Sequence, residues 1–286
     1  MSTRTPFGGL LGRTDLVASY FTLTGAHMSE PPRHALAARA AAAAAAGFTG
    51  LALAPAELTL GGGLAQLVEV VTGAGMTVPE LEPLRGWDSA GPTDEDAMFA
   101  LAEAFGSRQV TTIQVVGDEV SADLLAERFA GLCTRAAEHG LTVGFEPRAH
   151  SPVATPSAAA ELIVASGASN AGIVLDAYHV HREQVTIDEL AAVASLVVSV
   201  QLNDMHAAPR GTPSEDALEH RLAPGDGAID LPRWLAGLDG LGIDVPLAIE
   251  VMSRDFNALT LGEAAGRAVR GARSALAAAR EINRVG

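Results

Sequence analysis

The sequence predicts an α/β fold, a (β/α)8 TIM barrel, from three observations. Eight short runs of apolar and β-branched residues alternate with eight segments that have the period of a helix. The alternation fills most of the 286 residues, and about 250 residues is typical of such a barrel. Composition does not shift along the chain and no linker divides it. We therefore expect a single domain over residues 1–286, with a flexible or loosely packed N-terminus over residues 1–14.

The strands and helices follow each other in strict order. Strands are predicted at residues 16–25, 50–55, 76–84, 109–117, 141–147, 171–179, 196–204 and 246–251. Helices are predicted at residues 31–47, 62–75, 94–106, 121–140, 155–167, 186–194, 231–242 and 259–282. The first helix is rich in alanine, the best helix former, and ends at Gly47. The alternative is a doubly wound open sheet, which is disfavoured because the first strand–helix turn has no GxGxxG motif.

The charged residues exclude several classes of function. The chain has 19 basic against 34 acidic residues, a net charge of −15, and every basic residue is arginine. Without lysine there is no Schiff-base chemistry and no lysine-containing phosphate loop. The negative charge argues against a nucleic-acid partner, because affinity for the phosphate backbone depends on clustered basic residues.

Cysteine content and hydropathy indicate a cytoplasmic protein. A single cysteine, Cys133, cannot form an intramolecular disulfide or a thiolate zinc site, which fits a reducing compartment. No apolar run reaches the roughly 18 residues of a membrane span. The start of the chain, MSTRTPFGGLLGRTDL, lacks the features of a signal peptide. We expect an enzyme of the cytoplasm with no membrane partner.

Four polar residues interrupt strands that are otherwise apolar. Glu146, Asp176, Gln201 and Glu250 lie in the runs VGFEP, IVLDA, VSVQL and LAIEV. Carboxyl ends of barrel strands carry the active site, and a buried carboxylate is costly unless it is paired or binds a cation. Three carboxylates and a carboxamide at one barrel mouth predict a metal site; the alternative is a separate ion pair with arginine for each. Oxygen ligands favour Mn²⁺ or Mg²⁺, with Co²⁺ or Zn²⁺ if a histidine joins.

In these motifs the sequence resembles the xylose isomerase-like TIM-barrel family of sugar phosphate isomerases and epimerases. Tagatose epimerase-like proteins, hydroxypyruvate isomerases, inosose dehydratases and dehydroshikimate dehydratases are members. The motifs GFEP, LDAYH, QLND, RLAPGDGAIDLPRWLAGL and LAIEV occur in family order, whereas the N-terminal half matches only in pattern. The resemblance implies the metal ligands Glu146, Asp176, Gln201 and Glu250. Gln201 stands where the family usually has histidine, as in the dehydroshikimate dehydratase branch, so affinity for softer metals should fall.

The resemblance also implies roles at the substrate. Glu146 and Glu250 would accept and donate a proton on opposite faces of the substrate, and His179 would bind a substrate oxygen or act as general acid or base. The resemblance implies that His27, Glu82, Trp87 and Arg221 bind substrate, and Arg85 lies in the same region. From their positions in the sequence, Arg148, two residues after Glu146, is a candidate clamp for a substrate oxyanion or carboxylate, and His181 is a candidate accessory group. Simpler interpretations compete: His179 packs under a loop, Arg148 forms a surface ion pair, and Arg221 orders its loop. His181 and His179 alternate along a segment taken as extended, which would put both on one side.

The predicted function is a divalent-metal-dependent isomerase or epimerase. Its substrate would be a keto sugar or cyclic polyol ketone, deprotonated next to its carbonyl to give an enediolate. One alternative is a metal-dependent lyase, such as a 3-dehydroshikimate or inosose dehydratase or an enzyme that eliminates from 3-keto C-glycosides; a histidine aimed away from the metal would favour it. A second is a non-catalytic sugar-binding or partner subunit. The resemblance further implies a homo-oligomer, a dimer or tetramer.

Overall fold

The strands form one parallel sheet that curls into a barrel. The structure, a computed structural model, describes residues 9–89, 93–115 and 120–285. The strands are β1 (Leu16–Ala18), β2 (Gly50–Leu51), β3 (Glu80–Leu84), β4 (Gln109–Thr112), β5 (Thr142–Phe145), β6 (Ala171–Asp176), β7 (Val197–Leu202) and β8 (Leu247–Ile249). Their order in the sheet is β2-β1-β8-β7-β6-β5-β4-β3. Parallel bridges from Gly50 to Thr77 and from Leu53 to Leu81 bring β2 to β3, so the predicted TIM barrel is confirmed.

Helices surround this sheet and connect its strands. They are α1 (Leu36–Ala46), α2 (Ala56–Leu60), α3 (Leu64–Gly73), α4 (Glu95–Phe105), α5 (Ala122–Glu138), α6 (Pro156–Ser166), α7 (Ala177–Arg182), α8 (Ile187–Ala191), α9 (Pro213–Glu219), α10 (Leu231–Gly240), α11 (Arg254–Asn257) and α12 (Leu261–Val285). Three short 3-10 helices cover Leu10–Gly12, Tyr20–Leu23 and Ala194–Leu196. Among the described residues, none of these helices combines the length and apolarity needed to cross a bilayer.

Local sequence explains where the outer helices begin and end. Helix α1 stops where Gly47 adopts a left-handed conformation with φ 99°, which glycine enters without steric cost. Helix α6 begins after Thr155, whose side chain accepts a hydrogen bond from the Ala158 N–H, and has Pro156 in its first turn. The helices pack apolar faces against the strands around one large buried core.

The strand predicted at residues 171–179 ends earlier than expected. Asp176 is the last residue of β6, and its side chain caps α7 by accepting the His179 N–H at 3.1 Å. His179 and His181 therefore lie on a helix, and the expectation that they alternate on an extended segment is wrong. The capping preference of aspartate competed with the apolar pattern of the strand and prevailed.

The first predicted strand, residues 16–25, begins where expected but ends early. Only Leu16–Ala18 is strand, and Tyr20–Leu23 turns into a 3-10 helix. Residues 1–8 of the predicted loose N-terminus lie outside the described residues. Leu10 and Leu11, which come next, are 0% and 3% exposed and belong to the main core.

Candidate metal and active site

Three buried carboxylates meet at the carboxyl end of the barrel. Glu146 directly follows β5, Asp176 ends β6 and Glu250 directly follows β8. Each offers one oxygen that lies within 4.8 Å of the oxygens of the other two, and their side chains are almost fully buried. Parallel strands carry their carboxyl ends to one rim, which is why residues far apart in the sequence converge here.

Arg221 is the cation that faces this cluster in the structure. Its Nη1 donates to Asp176 Oδ2 at 2.9 Å and to Glu250 Oε2 at 2.8 Å. Its Nε donates to the Ala217 carbonyl, and its guanidinium lies over the ring of Tyr178 at 4.9 Å. Burial alone would lower the pKa of Arg221, but Asp176, Glu250 and Glu146 raise it above its ordinary value. Arg221 thus both lines the site and holds its own loop in place, so the two competing interpretations are compatible.

A second group of polar side chains supports the cluster from inside the barrel. Ser19 Oγ donates to Glu82 Oε1 and lies 3.1 Å from Glu250 Oε1. Gln201 Nε2 donates to Glu82 Oε2 at 2.9 Å. Asn203 Nδ2 donates to Asp176 Oδ2 at 2.6 Å. These bonds fix the orientation of the carboxylates without neutralising them.

Burial and mutual repulsion favour the protonated forms of these acids. The pKa of Glu250 rises to about 7, chiefly because the side chain is buried, with Glu82 and Asp176 adding repulsion. The pKa of Glu82 also rises to about 7 through burial and the nearby Glu80. Burial, Glu250 and Asp176 raise the pKa of Glu146 well above its ordinary value. Carboxyl groups with a pKa of about 7, such as Glu82 and Glu250, can take and return protons near neutral pH.

His179 is neutral and turned toward the carboxylates. Its Nδ1 accepts the Ala149 N–H at 3.1 Å. Nε2 lies 3.4 Å from Glu146 Oε1 and 3.1 Å from Arg221 Nη2. Burial and the positive charge of Arg221 hold the pKa of His179 well below its ordinary value. His179 therefore lines the site and is more than a packing residue.

A cavity of about 450 Å³ opens onto these groups. The predicted residues that line it are Glu82, Glu146, Arg148, His179, Arg221 and Glu250. Apolar side chains, among them Phe21, Ile113 and Met252, form much of the remaining wall. The cavity has the size and the few convergent polar groups of a small-molecule site.

Three residues expected to bind substrate do not line this cavity in the described part of the chain. Trp87 is a core residue: it is 3% exposed, its Nε1 donates to the Ile113 carbonyl, and its ring packs on Phe129. His181 lies on α7 outside the cavity. Its Nδ1 is hydrogen-bonded to the Ala177 carbonyl, and its ring packs against Trp234. His27 lines a separate shallow pocket, where its Nε2 lies 3.6 Å from Glu219 Oε1.

Sequence reasoning missed the roles of Ser19 and Asn203. Ser19 follows the apolar run LVA directly, at the point where the first barrel strand ends, and a polar residue there was the available signal. Asn203 stands inside the QLND motif, but its contact with Asp176 depends on the pairing of β6 with β7. Asp204, in the same motif, accepts hydrogen bonds from the backbone N–H groups of Gly225, Gly227 and Ile229 and so structures a loop.

The donor set fits a hard divalent cation. Glu146, Asp176 and Glu250 supply three clustered carboxylate oxygens. The Gln201 Oε1 atom is buried without a hydrogen-bond partner among the described residues, which is costly unless another group binds it. An all-oxygen set of this kind suits Mg²⁺ or Mn²⁺. The fourth ligand predicted from the sequence, Gln201, stays a prediction.

Known proteins resemble the chain in sequence and fold. A family model described as "Xylose isomerase-like TIM barrel" matches residues 40–281. Inosose isomerase of Bacillus subtilis is 29% identical over 161 residues, 54% of this chain and 55% of that protein. A 3-dehydroshikimate dehydratase of Pseudomonas aeruginosa is 30% identical over 164 residues, 52% of this chain and 24% of that protein. The matched region thus spans about half of the first of these relatives and less of the second.

A solved structure extends the likeness to almost the whole chain. The IOLI protein, crystallised with a zinc atom, superposes with a TM-score of 0.78 at 19% identity, over 92% of this chain and 98% of that chain. At this identity the superposition shows the common fold. The family model covers most of the chain, strands β3 to β8 included, and so covers every carboxylate of the cluster. The chain belongs to the xylose isomerase-like TIM barrel family.

Proposed function

We propose that this chain is a divalent-metal-dependent isomerase or epimerase of a keto sugar or cyclic polyol ketone. The observation that carries the proposal is the cluster of Glu146, Asp176 and Glu250, buried and converging at one cavity. Similarity to inosose isomerase supports the same reaction class. Glu146, Asp176 and Glu250, with Gln201 as fourth ligand, would hold the metal. Bound there, it would supply Lewis-acid polarisation of a substrate carbonyl.

The proton transfers fall to Glu146 and Glu250. Both line the cavity, and burial raises the pKa of Glu250 to about 7 and that of Glu146 well above its ordinary value. One carboxylate takes the proton from the carbon next to the carbonyl, which leaves an enediolate. The other returns a proton, to the opposite face for epimerisation or to the neighbouring carbon for isomerisation. Arg221 and His179 line the cavity and lie where they can bind the substrate oxygens that become negative.

The second candidate is a metal-dependent lyase acting on the same kind of ketone. Similarity to the 3-dehydroshikimate dehydratase favours it, and the first proton transfer is the same. Departure of a hydroxyl group additionally needs a proton donor on the far side of the substrate. His179 faces Glu146, a predicted metal ligand, at 3.4 Å and so is not aimed away from the metal site, which supports isomerase above lyase.

Proton exchange with solvent tests the proposal directly. The protein with added Mn²⁺ is incubated in D₂O with an inosose and, separately, with 3-dehydroshikimate, and NMR follows both deuterium at the carbon next to the carbonyl and the products formed. We expect exchange to fall at least about 100-fold in Glu146→Gln and Glu250→Gln, and to persist in Glu103→Gln, an exposed position in α4. Formation of an isomer identifies an isomerase, and loss of water identifies a lyase. Exchange that is absent, or equal in all variants, would overturn the proposal.

A further inference from the structure

Two arginines in the cavity form no ion pair with the acids in the described part of the chain. Arg85 directly follows β3 and Arg148 lies three residues beyond β5, and both line the cavity. Only β4 separates these two strands, so their ends are about 10 Å apart. Within the described ranges 9–89, 93–115 and 120–285, neither guanidinium forms an ion pair.

Three other arginines, which are more deeply buried, form ion pairs with carboxylates. Arg39 pairs with Glu57, Arg182 with Asp216, and Arg221 with Asp176 and Glu250, and these three arginine side chains are 2–8% exposed. A guanidinium that is withdrawn from water needs such a counter-charge. Arg85 and Arg148 are half-buried and form no direct ion pair among the described residues. Asp94 acts on Arg85, and Glu146 on Arg148, only from beyond ion-pair distance, so a bound anion can supply the direct partner.

The hydrogen bonds of Arg148 also favour an anionic ligand. Its Nη2 donates to the Gln114 carbonyl, which fixes the plane of the guanidinium. Its Nε atom is buried and finds no acceptor in the described part of the chain. An unsatisfied buried donor costs about 1–3 kcal/mol, and an oxygen of a bound ligand would remove that cost. A guanidinium held in this way presents its donors as a fork suited to a carboxylate or phosphate group.

The arginines that line the cavity lie on two of its sides. Glu82 and Glu146 also line the β3 to β5 side, but among the described residues neither forms an ion pair with Arg85 or Arg148. Asp176 and Glu250, on the β6 to β8 side, already face Arg221. On the β3 to β5 side, burial lowers the pKa of Arg85, and the positive charge of Arg148 lowers it further despite Asp94. Two cations that repel each other across a cavity wall favour an anion between them.

We propose that Arg85 and Arg148 form an anion subsite that binds a carboxylate or phosphate group of the substrate. The inference rests on the proposed function, because it places the reacting ketone at the carboxylate cluster and the anionic group on the β3 to β5 side. It narrows the substrate class to polyol ketones that carry an anionic group. In a chain without lysine, arginine is the side chain that must serve this purpose.

Binding of three related probes tests the subsite without requiring turnover. Isothermal titration with Mn²⁺ present compares quinate, a cyclic polyol with a carboxylate; myo-inositol 1-phosphate; and neutral myo-inositol. The variants are Arg85→Gln and Arg148→Gln, with Arg233→Gln, an exposed position in α10, as the control with the same change of charge. The thermal midpoint of each variant reports on folding. If Arg148→Gln does not fold, Arg85→Gln alone tests the subsite, because the guanidinium of Arg85 makes no hydrogen bond within the described residues.

We expect at least one anionic probe to bind at least tenfold more tightly than myo-inositol, and each cavity variant to lose that advantage at least tenfold. Affinity for myo-inositol should stay within twofold in all proteins. Preference for quinate assigns the subsite to a carboxylate, and preference for the phosphate ester assigns it to a phosphate. Anionic probes that bind no better than myo-inositol, or equally in all variants, would overturn the subsite. Arginine-dependent binding in a protein without proton exchange would overturn only the proposed function.

Discussion

Ser19 couples two of the buried acids through one hydroxyl group. Its Oγ donates to Glu82 and lies 3.1 Å from Glu250 Oε1, and the residue is 2% exposed. Ser19→Ala removes the hydroxyl group and leaves the two buried acids with fewer hydrogen bonds. We therefore expect the free energy of unfolding to fall by about 1–3 kcal/mol. Urea denaturation measures it. Ser166→Ala, which loses a half-buried hydroxyl bond to the Ile163 carbonyl, should cost less; an equal loss would contradict the role given to Ser19.

Asp216 should make stability depend on pH. Burial would raise its pKa, but hydrogen bonds from Tyr178 Oη at 2.7 Å and the Arg210 N–H, together with the Arg182 guanidinium at 2.8 Å, lower it below its ordinary value. Because the pKa is lower in the folded protein, the stabilisation is fully present above the unfolded pKa of about 3.9 and is lost as pH falls through the folded pKa.

The substitution Asp216→Asn isolates this contribution. We expect it to lower the free energy of unfolding by about 3 kcal/mol at pH 7, and by less at pH 3.5, in urea titrations at both values. Asp15→Asn, which removes an exposed pair with Arg13, should cost less than about 1 kcal/mol. A difference between wild type and Asp216→Asn that grows as the pH falls would contradict the assignment.

At the scale of elements, one glycine sets how closely α12 approaches the loop that carries Arg221. A Cβ atom on Gly271 would lie 1.9 Å from the Pro224 carbonyl oxygen, a backbone atom that cannot turn away. Gly271→Ala should therefore lower the free energy of unfolding by about 1–3 kcal/mol, although alanine gains about 1 kcal/mol in helix propensity. At Gly266 in the same helix the nearest atom is the free end of Arg270, so Gly266→Ala should be neutral or stabilising. Urea denaturation of both variants checks the contrast, and equal stability would refute it.

The helix–strand alternation was predictable because it depends on local periodicity. The conformation of the chain beyond each strand was not predictable, because it depends on tertiary contacts. Asp176 ended β6 by capping α7, and this moved His181 away from the cavity. Trp87 was expected at the substrate but packs on Phe129 of α5. The spacing of residues in the sequence does not show this contact.

At the scale of the whole molecule, the barrel explains why the carboxylates could be found from sequence. Each of Glu146, Asp176 and Glu250 lies at the end of an apolar run of residues. In a closed barrel of parallel strands, the carboxyl ends of these runs meet at one rim. The supporting contacts needed coordinates, because Ser19 and Glu82 are 63 residues apart. The homo-oligomer, the cytoplasmic location and the absence of a nucleic-acid partner stay predictions of the sequence.

Stoichiometric metal binding tests the central claim most directly. Metal-free protein is titrated with Mn²⁺, and electron paramagnetic resonance counts the free ion. The carboxylate cluster predicts one tightly bound ion per chain, weakened at least tenfold in Asp176→Asn and Glu250→Gln and unchanged in Glu103→Gln. Absence of tight binding in the wild type, or binding that the two cluster variants leave unchanged, would contradict the assignment of Glu146, Asp176 and Glu250 as a metal centre.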